Sequence, residues 1–230
     1  MLTDYEEVII VKDWFKLLVN RISNLMLKTI TEFFLMLSLI SLMLGCGGGL
    51  PAPAVPKIDP AASATAAMNE YDTNKDGFID QAELKSAPSL KDAEKVIDSN
   101  SDGKLSRDEI EQRLNKYSAQ GMALMSFSCS VTMNGAKKAE IEVEMVPEKF
   151  MLGSIKMGKG ITDVNGIVRF KQEEQEFEGV APGFYKIKLI KDGSLTFPAR
   201  FNENTVIGKE IALDRMGRGG DSFDIKASSK

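Results

Sequence analysis

Asp72-Thr-Asn74-Lys-Asp76-Gly77-Phe78-Ile79-Asp80-Gln-Ala-Glu83 and Asp98-Ser-Asn100-Ser-Asp102-Gly103-Lys104-Leu105-Ser106-Arg-Asp108-Glu109 repeat one pattern: D-x-N-x-D-G, closed by a glutamate at the twelfth position. This is the spacing a loop needs to wrap oxygen ligands around a calcium ion. Positions 1, 3 and 5 supply side-chain oxygens, position 7 a backbone carbonyl, position 9 a side chain or its water, and position 12 a bidentate carboxylate. The candidate ligands are therefore Asp72, Asn74, Asp76, Phe78, Asp80 and Glu83 in the first loop, and Asp98, Asn100, Asp102, Lys104, Ser106 and Glu109 in the second. Phe78 and Lys104 are acceptable because position 7 offers only its main chain. Gly77 and Gly103 sit at position 6, where the sharp turn favours a positive φ. Asp, Asn and Gly also crowd ordinary acidic turns, so one match could be chance. Two complete matches 26 residues apart are not, and the pattern implies two calcium sites.

The flanks of both loops read as helices. Asp59-Pro60 is a helix start, with Asp at the N-cap and Pro at the first helical position. Alanine-rich Ala61–Tyr71 then runs into the first loop. Between the loops, Pro88 ends a first exiting helix, and Ser89 with Asp92 forms a capping-box-like start for the next. Leu90, Ala93 and Ile97 share one face of it. After the second loop Ile110, Leu114 and Tyr117 repeat the i, i+4, i+7 spacing of a buried stripe. From Ala61 to Tyr117 the chain resembles the EF-hand family. The resemblance implies that Ile79 and Leu105, at position 8 of each loop, pair the loops through a short backbone bridge. Ser106 stands where the family often has an acid, which implies a weaker second site. The short linker and the few methionines on these helices imply a structural or buffering role rather than a switch.

Composition narrows the alternatives. At 230 residues the chain could hold one large domain or two small ones, and 43% hydrophobic with 27% charged residues is ordinary for a folded protein. Residues 50–120 carry 13 acidic and 9 basic side chains, which accounts for the net charge of −4, and bound calcium would offset that excess. No basic domain is present, so no nucleic-acid partner is expected. Histidine is absent, which removes Ser-His-Asp triads, Cys-His pairs and the usual zinc sites. No nucleophile, base and orienting group can be assembled, and the reading is of a non-enzyme. Two cysteines, Cys46 and Cys129, give no disulfide framework. Cys129 reads as a small buried hydrophobe in a strand.

Ile30–Leu44 is an apolar run of about 15 residues after Lys28, short for a membrane span and suited to a signal-peptide core. Met43-Leu44-Gly45-Cys46 resembles the bacterial lipobox, whose cysteine is diacylated and becomes the mature N-terminus. Met43 departs from the usual Leu, and Glu32 is an awkward charge in the core. Residues 1–25 fit poorly, and Met26-Leu27-Lys28 makes a better start than Met1. An uncleaved anchor, or an amphipathic helix carrying Val8, Val11, Phe15, Leu18 and Ile22, are the alternatives. Leu50–Pro56 alternates proline with small residues and reads as a semi-rigid spacer.

Beyond about Met125 the period changes from helical to alternating. Ile141, Val143 and Met145 face one way, and Glu140, Glu142 and Glu144 the other. Asn134-Gly135, Asn165-Gly166 and Asp192-Gly193 are turn signals. Strands are expected at 127–133, 139–146, 153–158, 167–171, 184–190, 207–213 and 222–226. The stretches Val131–Pro147, Ile161–Phe170 and Gly179-Val-Ala-Pro182-Gly183-Phe-Tyr185-Lys-Ile-Lys-Leu189 resemble carboxypeptidase regulatory-like, transthyretin-type β-sandwich domains. That resemblance implies an accessory, structural module in which Tyr185 starts a strand packed inward.

The expected fold is α+β and multidomain. An N-terminal segment and signal peptide cover 1–45, a lipidated Cys46 and Gly/Pro-rich linker 46–58, an EF-hand pair 59–120, and a transthyretin-like sandwich of about seven strands 121–230. The sandwich, with its own alternating core, is expected to be largely independent of the ion. The function read from this is a calcium-binding, non-enzymatic lipoprotein of the bacterial cell envelope. It would be held to the membrane by lipid, with an envelope protein or polysaccharide as a possible partner. The alternative is a calcium-dependent binder whose sandwich takes a carbohydrate or protein ligand. The lone tryptophan, Trp14, lies outside the sandwich, which disfavours a sugar platform.

Overall fold

Asp59 accepts a hydrogen bond from the Ala62 N–H at 3.0 Å, capping the helix that Pro60 opens. The computed structural model in which this is seen describes residues 21, 23, 26–32, 52–172, 175, 177–192, 195–215 and 221–228. Cys46, most of the apolar run, Trp14 and Gly193 lie outside the described residues. Contacts divide the chain into Met1–Pro51 and Ala52–Lys230. In the first unit residues 26–32 are helical. No helix among the described residues is long and apolar enough to cross a membrane.

The second unit begins with three helices. Helix α1 (Pro60–Tyr71) enters the first loop, and α2 (Pro88–Ile97) and α3 (Arg107–Gln120) flank the second. Ser106 and Glu109 form a reciprocal capping box at the start of α3, and Gly121 ends it at φ +61°. Strands β1 (Phe78–Ile79) and β2 (Leu105–Ser106) pair antiparallel, placing Ile79 opposite Leu105, as the family resemblance implied. Ile110, Leu114 and Tyr117 are buried, as are Leu90, Ala93 and Ile97.

The start of α2 corrects the sequence reading. The first exiting helix is only a 3-10 turn, Glu83–Lys85, and Pro88 opens α2 instead of ending its predecessor. Proline is suited to that place, because its fixed φ is helical and the first turn needs no N–H from it. Ala87 is the N-cap, and no side chain caps it. Ser89 and Asp92 are drawn instead into tertiary bonds with Glu148 and Glu210 of the β half.

Ten strands follow α3 among the described residues. Strands β3 (Phe127–Met133), β4 (Ala136–Lys137), β7 (Ile167–Arg169) and β12 (Asp221–Ala227) form one sheet, in which β3 pairs with the other three and runs parallel to β12. Strands β5 (Ile141–Pro147), β6 (Gly158–Ile161), β8 (Lys171–Gln172), β9 (Gly183–Asp192), β10 (Leu195–Thr196) and β11 (Gly208–Ile211) form the other, in the order β10-β9-β5-β6-β8 with β11 also on β9. Alternation decides which side chains go inward: Phe127, Cys129 and Val131 from β3, and Ile141, Val143 and Met145 from β5. The short β4, β8 and β10 raise the count above the seven expected. The strand expected at 153–158 begins at Gly158, after a 3-10 turn at Lys149–Met151. Glycine is required there, because a Cβ at Gly160 would sit 2.3 Å from the Arg169 carbonyl oxygen. Tyr185 is fully buried, and its hydroxyl donates to the Ala181 carbonyl at 2.8 Å.

Helices and sheets share one continuous buried core. Tyr71 of α1 meets Phe150 edge to face, and Tyr117 of α3 and Phe150 both meet Phe184 of β9. Polar bonds cross the same seam. Glu148 accepts from the Tyr71 hydroxyl at 2.8 Å and from Ser89 Oγ at 2.6 Å, and Glu210 accepts from Arg113 and Tyr117. The strands, expected to be largely independent of the ion, thus pack directly against the helices. The reason is that each helix buries an apolar stripe, and three short helices cannot cover one another.

Candidate metal centre

Each loop is shaped by its own polar side chains. In the first, Asp72 accepts from the Asp76 N–H at 3.2 Å through one oxygen and from the Gly77 N–H at 3.0 Å through the other. Asn74 Oδ1 accepts from the Asp76 N–H at 2.8 Å, and Asp76 from the Phe78 N–H at 3.0 Å. Glu83 reaches back across the loop: Oε1 accepts from the Thr73 N–H at 2.7 Å and the Asn74 N–H at 3.2 Å, and Oε2 from the Asp80 N–H at 3.1 Å. These bonds need a tight left-handed turn, supplied by Lys75 at φ +60° and Gly77 at φ +89°.

The second loop repeats this arrangement. Asp98 accepts from the Asp102 and Gly103 N–H groups, Asn100 from Asp102, and Asp102 from Lys104. Glu109 accepts from the Ser99 N–H at 3.0 Å and the Ser106 N–H at 2.9 Å. Ser101 and Gly103 take the left-handed conformation, at φ +60° and +79°. One difference lies at position 9. Asp80 caps the turn by accepting from the Ala82 and Glu83 N–H groups, whereas the Ser106 hydroxyl is shared with Glu109.

For Glu83 and Glu109 burial alone would raise the carboxyl pKa, but hydrogen bonds outweigh it and hold both below the usual value. For Glu83 the donors are Asp80, Thr73 and Asn74, and for Glu109 they are Ser106 and Ser99. Each is therefore an anion at neutral pH. Among the described residues no three acidic, cysteine or histidine side chains converge into a closed cage. The carboxylates face their own loop N–H groups instead. The donor set nonetheless fits a hard cation, because carboxylate, amide, hydroxyl and backbone oxygens are its only members.

Two side chains that the pattern does not single out also reach across the pair. Lys104 of the second loop places Nζ 3.9 Å from Asp76 Oδ2 and 5.2 Å from the centre of the Phe78 ring in the first. Gln81 donates to the Gly103 carbonyl at 3.1 Å and to Glu94. A position read only for its main chain gives no signal of where its side chain goes.

Residues 65–87 and 95–114 match the family model described as EF hand. Both stretches are similar to EF hands. Each contains one complete loop, and the match supports calcium binding. No curated protein and no solved structure matches the chain.

Proposed function

We propose that this chain is a calcium-binding, non-enzymatic lipoprotein of the bacterial cell envelope, with a structural or interaction role. The observation that carries the calcium reading is the repetition. Two loops with matching donors at every position but the ninth, the same left-handed turns and the same folded-back glutamate are joined by the β1–β2 bridge. Asp72, Asn74, Asp76, the Phe78 carbonyl, Asp80 and Glu83 would hold one ion. Asp98, Asn100, Asp102, the Lys104 carbonyl, Ser106 and Glu109 would hold the other. The ion supplies positive charge to loops whose carboxylates otherwise repel one another. Engagement of the Ser106 hydroxyl by Glu109 supports a weaker second site.

The envelope reading rests on sequence. The apolar run, the lipobox-like Met43–Cys46 and the proline-rich spacer support an acylated Cys46 and a protein facing out of the cytoplasm. The two-sheet architecture and the buried Tyr185 support the transthyretin-type assignment of the β half. Extracellular sites of this kind bind at ~10⁻⁴–10⁻³ M, which environmental calcium can fill.

Calorimetry tests the metal reading. Wild type should take up two calcium ions, and Glu83→Gln and Glu109→Gln one each, because an amide offers a single neutral oxygen where the carboxylate offers two charged ones. No heat up to about 10 mM calcium, well above the weak extracellular range, refutes it. Mass spectrometry of membrane-extracted protein tests the anchor, since Cys46→Ser should leave an unprocessed chain without acyl groups. Wild-type processing and acyl labelling of that variant would defeat the assignment.

A further inference from the structure

Helices lie on either side of each loop, and one buried glutamate of the β half touches both. For the first loop this is Glu148, 2% exposed, between β5 and the Lys149–Met151 turn. Its Oε2 accepts from the hydroxyl of Tyr71, the last residue of α1 and the neighbour of Asp72. Its Oε1 accepts from Ser89 in the first turn of α2, the helix that follows the Glu83–Lys85 turn and leads on into the second loop. Lys186 Nζ lies 3.2 Å away and balances the charge.

For the second loop it is Glu210 of β11, fully buried. Its Oε1 accepts from Arg113 and Tyr117, both on the helix that leaves the loop. Its backbone N–H donates to Asp92 Oδ2 at 3.1 Å, on the helix that enters the loop. Arg215 ties the two acids together, 2.9 Å from Asp92 Oδ2 and 3.1 Å from Glu210 Oε2. A buried carboxylate is a costly way to hold helices that an apolar contact would also hold. Two of them, each tying together helices that lie on either side of one loop, call for a reason beyond packing.

We infer that Glu148 and Glu210 are positioning residues for the two calcium loops, so that the β half sets the calcium affinity of each loop separately. The inference rests on the calcium reading above. Position 1 of each loop ends one helix, and position 12 lies at the start of the next helical segment. The spacing of the flanks therefore governs whether the twelfth-position carboxylate meets the other oxygens. A clamp that fixes the spacing beforehand removes ordering from the binding step and tightens it. Arg113 and Tyr117 act through Glu210, and Tyr71 and Ser89 through Glu148.

The test is a calcium titration of the full chain followed by NMR at the Gly77 and Gly103 amides. Each donates to the first carboxylate of its own loop and so reports one site. Tyr71→Phe should raise the Kd read at Gly77 by about fivefold, the lower edge of site-to-site coupling, and move Gly103 by less than about twofold. Tyr117→Phe should do the reverse. Ser89→Ala, at the other oxygen of Glu148, should repeat the Tyr71→Phe result and serves if that variant folds poorly. Unchanged Kd values at both glycines, or equal shifts at both, would overturn the clamp and leave calcium binding intact. If neither amide of wild type responds to calcium, both readings fall together.

Discussion

Replacing Arg113 with methionine probes the most deeply buried cation among the described residues. Its side chain is 1% exposed and that of its partner Glu210 is fully buried. Methionine keeps most of the volume and removes the guanidinium. Stranding one member of a buried pair costs ~3–5 kcal/mol. Glu210 is not wholly stranded, because Arg215 stays 3.1 Å from its other oxygen and Tyr117 still donates. That places the loss near the lower figure. Arg113 also binds Asp214 through two N–H groups at 2.6 and 2.7 Å, but that carboxylate is 45% exposed. Water screens it, and those bonds add at most about 1 kcal/mol. Urea unfolding followed by far-UV circular dichroism at saturating calcium should therefore show a loss of about 3–4 kcal/mol. Adding Glu210→Gln should recover part of it, because no uncompensated charge then remains. A loss below about 1 kcal/mol would mean that the pair behaves like an exposed one, and the seam would not be the anchor described.

Gly208→Ala should destabilise by at least about 1–3 kcal/mol in the same assay, since its Cβ would lie 2.2 Å from the Ser89 nitrogen, where only backbone can yield. Wild-type stability would show that α2 can withdraw from β11 freely. In calcium-free buffer, stability should fall as pH drops below about 4.5, the ordinary value from which Glu83 and Glu109 are lowered. A depressed carboxyl pKa stabilises above the unfolded value and is lost as pH falls through the folded one; a pH-independent curve from 6 to 3 would count against those loop bonds. A chelator should lower one cooperative transition spanning helices and strands, by RT ln(1 + [L]/Kd), about 1.4 kcal/mol at ten times Kd. Two transitions, with only one moving, would show that the shared core does not couple them.

The loops were legible because coordination fixes both residue type and interval, and no tertiary partner is needed to read them. Position 6 announced its left-handed turn through Gly77 and Gly103, and position 8 its bridge through Ile79 and Leu105. Alternation revealed β3 and β5, whose inward residues recur every second position. Ser89 and Asp92 misled because a capping pair and a pair of tertiary donors look alike in sequence. Their partners Glu148 and Glu210 lie 59 and 118 residues further on. Strand β6 is misplaced in the sequence reading because Gly158 and Gly160 depress strand propensity, although the Val180 side chain and the Arg169 carbonyl leave no room for a Cβ at either position. Glu148 and Glu210 themselves carry no local signal. Each is one acid among many until burial sets it apart.

Strand β12 lies parallel to β3, and the bond from Ser130 to Asp224 closes a gap of 94 residues. Arg113 waits almost as long for Glu210, 97 residues away. On a growing chain the two loops can therefore form from neighbouring residues well before their supports exist. Long-range pairings of this kind are slow to form, and they leave apolar strand faces uncovered in the meantime. Refolding should accordingly be biphasic in character: fast local helix formation, then a slower step in which β11 and β12 dock and the loops acquire their final calcium affinity. Calcium offered early would meet loops of the right composition on flanks not yet held apart at the right distance.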